Sequence, residues 1–108
     1  MPDFKQFLDL LKDNIGALAA KSWKDFRDAA VKDGQAFIEK TKQDLDRWTG
    51  LLGQGKLTKD DFEWLVKGKK DLAELVALKQ AGLAKARLDQ FRGSLIDLVV
   101  GTALKFFL

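Results

Sequence analysis

Few of the side chains that carry out chemistry in proteins occur in this chain. Its 108 residues include no Cys and no His. Disulfides, thiolate nucleophiles and cysteine-based zinc sites are therefore excluded. With histidine go the usual general base near neutral pH and the commonest metal ligand. Acidic groups consist of 13 Asp and only three Glu, at positions 39, 63 and 74. A di-iron site in a helical bundle would need Glu-x-x-His pairs, and the sequence has none.

The adjacent acids Asp60 and Asp61 read as helix-start residues, because carboxylates are stabilised at the positive end of a helix dipole. The glycine run Gly50–Gly55 lacks a preceding strand and the Gly-Lys-Ser/Thr ending of a phosphate-binding loop, and no Gly-x-Gly-x-x-Gly occurs. No lysine sits in a pocket signature that would make it a nucleophile. The expectation is a protein that is not an enzyme, with no catalytic residue, no cofactor and no metal site.

Net charge is +3, and all of the surplus falls in residues 55–108. The densest basic cluster is Lys67, Lys69 and Lys70, followed by Lys79, Lys85, Arg87 and Arg92. Acids at Asp71, Glu74 and Asp89 are interleaved with them, as on a solvated helix face with mixed pairs. Nucleic acid is therefore a disfavoured partner. The chain begins Met1-Pro2-Asp3-Phe4-Lys5, without the basic and apolar regions of a secretory signal, and a cytoplasmic location is expected.

The elements that must position these residues are helical. Ala, Leu, Lys and Gln are abundant and favour helix, so the class is all-α. The main interruption is Gly50-Leu51-Leu52-Gly53-Gln54-Gly55-Lys56-Leu57. Gly50 stands where a helix ends. Thr58 then reads as an N-cap with Asp61 in the first turn, and Leu57 and Phe62 form a hydrophobic staple around it.

Ahead of that loop, Phe4, Ile15, Phe26, Phe37 and Trp48 recur every 11 residues. A companion row runs through Leu8, Ala19, Ala30, Thr41 and Leu52. This period keeps an apolar stripe nearly straight along a helix. One helix over about 2–49, a loop at 50–57 and a second helix over about 58–106 make a single domain, a long antiparallel hairpin. The first helix would be roughly 70 Å long. Gly34 and Gly82 are the points at which either helix could bend, Gly82 foremost.

A hairpin of two helices leaves apolar surface uncovered. Between Leu95 and Leu108 only Asp97 and Lys105 carry charge within 14 residues, too short a stretch to span a bilayer. Apolar residues there point almost all the way round a helix and need burial. A second copy is the simplest cover, giving a four-helix bundle with an interface at Leu95, Leu98, Val99, Thr102, Phe106 and Phe107. Were the chain a monomer, turns at Asp33-Gly34 and Gly82 would instead fold it into a bundle by itself.

The functional expectation is a homo-oligomeric scaffold, adaptor or regulatory module, binding itself and another protein. Trp23, Trp48 and Trp64 are expected in the core, and an exposed one near the loop would mark a partner site. The alternative is attachment to a membrane or hydrophobic-particle surface, since long amphipathic helices with Lys flanks and Phe or Trp on one face can lie in a lipid interface.

Overall fold

The computed structural model describes residues 3–108 and contains helices and turns, with no strand among the described residues. The all-α class is correct. Five α-helices follow one another: α1 (Phe4–Ser22), α2 (Arg27–Gly53), α3 (Lys59–Lys67), α4 (Val76–Gln80) and α5 (Lys85–Phe107). The longest dimension is 42 Å, which leaves no room for one helix over 2–49.

That first helix breaks at Trp23. The Trp23 N–H still donates to Ala19 O, but Trp23 and Phe26 both leave helical backbone angles, with a single 3-10 turn over Lys24–Phe26 between them. No Gly or Pro causes the corner. Its reward is packing: Trp23 becomes buried, edge-to-face with Phe91 at 5.3 Å and 89°. Folding a straight stripe at its middle makes the stripe face itself. This is why the 11-residue period runs through the corner unbroken.

Ile15, Phe37 and Trp48 are buried, while Phe4 and Phe26, at the start of α1 and at the corner, are half-buried. All five residues of the companion row are buried. Asp33-Gly34 forms no turn. Gly34 lies buried within α2 against α1, where a Cβ would stand 2.7 Å from Ile15 Cγ2. Here glycine sets how closely the two helices approach.

The end of α2 also differs from expectation. The helix passes through Gly50 and stops one turn later, keeping Leu52 buried. Gly55 takes the left-handed conformation at φ +73°, with Gly55 N–H donating to Leu52 O and Lys56 N–H to Leu51 O. This pair of bonds closes a Schellman motif. The restart is as the sequence indicates. Thr58 Oγ1 accepts from Asp61 N–H at 3.1 Å, Phe62 is fully buried and Leu57 half-buried.

The second long helix is interrupted as well. Between α3 and α5 the chain runs through a 3-10 turn at Lys70–Leu72, an irregular stretch and the short α4. Gly82, at φ +90°, closes a second Schellman motif through Gly82 N–H to Lys79 O and Leu83 N–H to Leu78 O. Residues 68–84 thus form a strap rather than a helix. The strap crosses α2 and buries Ala73, Leu75, Leu78 and Leu83 in the core.

Most of the apolar C-terminal segment packs against its own chain. α5 packs against α1, α2 and α3. Phe7 of α1 meets Phe106 and Phe107 at ring distances of 5.9 and 5.1 Å. Leu95 and Val99 are fully buried, and Thr102 is buried with its Oγ1 accepting from Asn14 Nδ2 at 3.1 Å. Leu98, Phe106 and Phe107 are half-buried. Of the six residues expected to form a dimer interface, three are thus buried in the monomer and three are half-buried, and five helices stand where a two-helix hairpin was expected.

Candidate binding surface

Polar side chains concentrate on the strap. Asp33, buried on the core-facing side of α2, accepts from Ala77 N–H at 3.0 Å and from Leu78 N–H at 2.7 Å. No side chain of the strap itself caps α4, which follows Leu75 in a left-handed conformation at φ 57°. Left-handed backbone is costly for a residue with a γ-branched side chain and persists only where the surroundings impose it. Burial of Leu75 and capping by Asp33 are those surroundings.

Three further contacts hold the strap down. Lys40 of α2 donates to Glu74, and Lys69 pairs with Asp44 at 3.1 Å. Arg92 of α5 donates through Nε to Ala73 O at 3.0 Å, its guanidinium steadied within α5 by the Nη1 bond to Asp89 at 2.9 Å. The Glu74 carboxyl is held below the usual glutamate value, first by its hydrogen bond from Lys40 and then by the charge of that ammonium.

Between the strap, α3 and α5 lies an open groove of about 780 Å³. Lys67, Lys70 and Lys79 line it together with Asp71, Asp89 and Asp97, and Ile96 and Gly93 supply its apolar floor. Both signs of charge line it. Of the basic cluster of the sequence, Lys67 and Lys70 line the groove, Lys67 being paired with Glu63 at 3.1 Å, while Lys69 is paired with Asp44.

Trp64 stands on α3 one turn before Lys67 and is 75% exposed. Phe62 and Val66 anchor the opposite side of that helix, so the indole points away from the core. Trp48 is buried, with the Lys69 ammonium 5.8 Å and the Arg47 guanidinium 5.9 Å from its ring centroid. Trp48 and Trp64 form no ring pair across the loop. Among large apolar side chains of the described residues, Trp64, Leu108, Val76 and Leu10 are exposed.

Sequence reasoning placed Trp64 in the core, read Asp33 only as a possible turn residue and Arg92 only as part of a solvated basic face, and passed over Lys40. Asp33 left a signal. It occupies a core-facing position between Ala30 and Phe37, where an acid requires a partner. Trp64 left a weaker one, since it lies on α3 opposite Phe62 and Val66. Among the described residues, no three acidic side chains gather closely enough to hold a metal ion. No helix of the described residues is long and apolar enough to cross a membrane. Comparison with family models, with curated proteins and with solved structures yields no match.

Proposed function

We propose that this chain is a non-enzymatic protein-binding module that engages its partner through Trp64 and the adjoining rim of the strap groove. The observation that carries this reading is Trp64 itself. An indole that is 75% exposed is a large apolar surface left in water on a rigid helix, and tryptophan is among the residues that most often dominate binding energy at interfaces. The groove beside it offers both signs of charge, which favours a specific polar rim over a general electrostatic attraction.

The partner is a second copy of the chain or another protein. Much of the C-terminal segment is already buried within the monomer, so on this reading self-association uses the α3 face. Along that face Asp60 and Asp61 precede Trp64 and Lys67 follows it, and all four are exposed. A two-fold axis through Trp64 would set the acids of one copy beside the lysine of the other. Sedimentation velocity on the full chain and on Trp64→Ala tests the reading. Concentration-dependent association lost in the variant supports self-association. A monomer in both assigns the surface to another protein. A partner captured equally well by both proteins overturns the role of Trp64.

A specific observation also favours the lipid alternative. Phe4, Phe7, Phe106 and Phe107 cluster at one end of the bundle, with Leu108 66% exposed and Lys5 and Lys105 exposed nearby in sequence. An apolar tip with flanking cations suits an anionic lipid surface. Flotation with anionic vesicles that is unaffected by Phe106→Asp with Phe107→Asp would remove this second reading.

A further inference from the structure

The corner between α1 and α2 carries a feature that partner binding at Trp64 does not use. Trp23 is 3% exposed, and its Nε1–H is the one buried side-chain donor among the described residues without an acceptor. A buried donor left unpaired is a cost that a folded protein rarely tolerates without a reason. Trp23 forms part of the wall of a pocket of about 280 Å³, together with Lys21, Ser22, Lys24, Asp25, Phe26 and Arg87. At the roughly 30 Å³ that a water occupies in the liquid, this space accommodates a tetrahedral oxyanion and a short organic tail.

The charge around the pocket is one-sided. Lys21, Lys24 and Arg87 contribute three positive charges against the single acid Asp25. None of the three cations forms an ion pair among the described residues. The Arg87 guanidinium lies over the Trp23 ring at 4.7 Å from its centroid. A guanidinium over an aromatic face still has N–H groups to offer to oxygen acceptors. The 27-residue helix α2 begins immediately beyond Phe26 and has no side-chain cap on its first N–H groups, although Asp28 occupies its first turn. That terminus adds positive potential at the same place.

We infer that this corner is a binding site for a phosphate group, free or carried by a small organic molecule, with Arg87, Lys21 and Lys24 neutralising it and the Trp23 indole supplying a directed hydrogen bond. Less than 1 Å² of Nε1 is accessible, so the oxyanion meets it as the side chains around the corner shift to admit it. A dianion suits the pocket better than a carboxylate, because the lining cations exceed the lining acids by two charges.

The indole N–H resonances of the intact protein test this directly, with Trp23→Phe used to assign the Trp23 signal. Titration with inorganic phosphate at constant ionic strength should shift the Trp23 signal downfield and saturate, leaving Trp48 and Trp64 in place. Arg87→Gln should weaken the response at least ten-fold. A parallel titration with glycerol phosphate separates the sources: tighter binding there assigns the site to an organic phosphate, and equal binding to the free ion. A Trp23 signal that does not move means its N–H is already spent on the Phe91 ring, and the site is refuted. Equal drift of all three indoles, or full binding by Arg87→Gln, refutes it as well.

Discussion

The α1–α2–α5 bundle and the strap over residues 68–84 are held by different forces. In the bundle, Phe7, Leu11, Ile15, Phe91, Leu95 and Val99 are buried to within 1%, and among the described residues the only side-chain hydrogen bond joining its helices is Asn14 to Thr102. The strap also sinks apolar residues into the core, yet it makes every other long-range polar contact of the described residues, through Asp33, Lys40, Asp44 and Arg92. Hydrophobic packing is non-directional and tolerates many arrangements. Hydrogen bonds fix an atom against an atom. The bundle therefore supplies most of the stability, and the strap's polar clamps determine the shape of the groove.

The largest effect should come from breaking the bundle. Leu95→Ala deletes a fully buried side chain on α5 and should cost about 2–5 kcal/mol, read as a lower urea midpoint with an unchanged slope. Because Leu95 faces the monomer's interior, this loss should not depend on protein concentration. A destabilisation that disappears at high concentration would restore Leu95 to an interface between copies.

The same division explains which parts of the fold are legible in the sequence. Periodicity reports burial, so the buried row Leu8, Ala19, Ala30, Thr41 and Leu52 is visible as residue spacing. Caps are local, so Thr58 with Asp61 is visible as well. Chain direction is not. A stripe folded at Trp23 has the same period as a straight one, and the corner there uses no Gly or Pro to announce itself. The strap is the least legible because its determinants lie far apart in sequence: Asp33 caps backbone groups 44 and 45 residues away. Of the candidate surface, the acids and lysines could be named in advance, but the exposure of Trp64 depends on which side of α3 the bundle covers.

A smaller and more local effect should follow from releasing the strap. Asp33→Ala leaves the Ala77 and Leu78 N–H groups without their acceptor, at a cost of about 1–3 kcal/mol. Asp33→Asn retains one acceptor oxygen and should cost less. The expected signature is faster hydrogen exchange confined to residues 75–82, with protection in α1 and α5 preserved. Exchange that quickens equally throughout the bundle would mean that strap and bundle unfold as one unit, and the comparison would collapse.

The smallest effect concerns the outermost clamp. Lys40 holds Glu74 charged by a hydrogen bond and by its own positive charge, with Lys79 assisting and partial desolvation opposing. The folded pKa is thus lower than 4.5, the value of an unperturbed glutamate. A group depressed in the folded state contributes stability that is complete above its unfolded pKa and is lost as pH falls through the folded one. Glu74 is more than half exposed, so solvent screening keeps that contribution slight, and it should appear in the titration rather than in the unfolding curve. Carbon-detected NMR should place the Glu74 midpoint below 4.5 in the intact protein, and Lys40→Met should raise it toward that value. A midpoint that Lys40→Met leaves in place would show that this end of the strap is held by packing alone, with Asp33 and Arg92 as its remaining polar anchors.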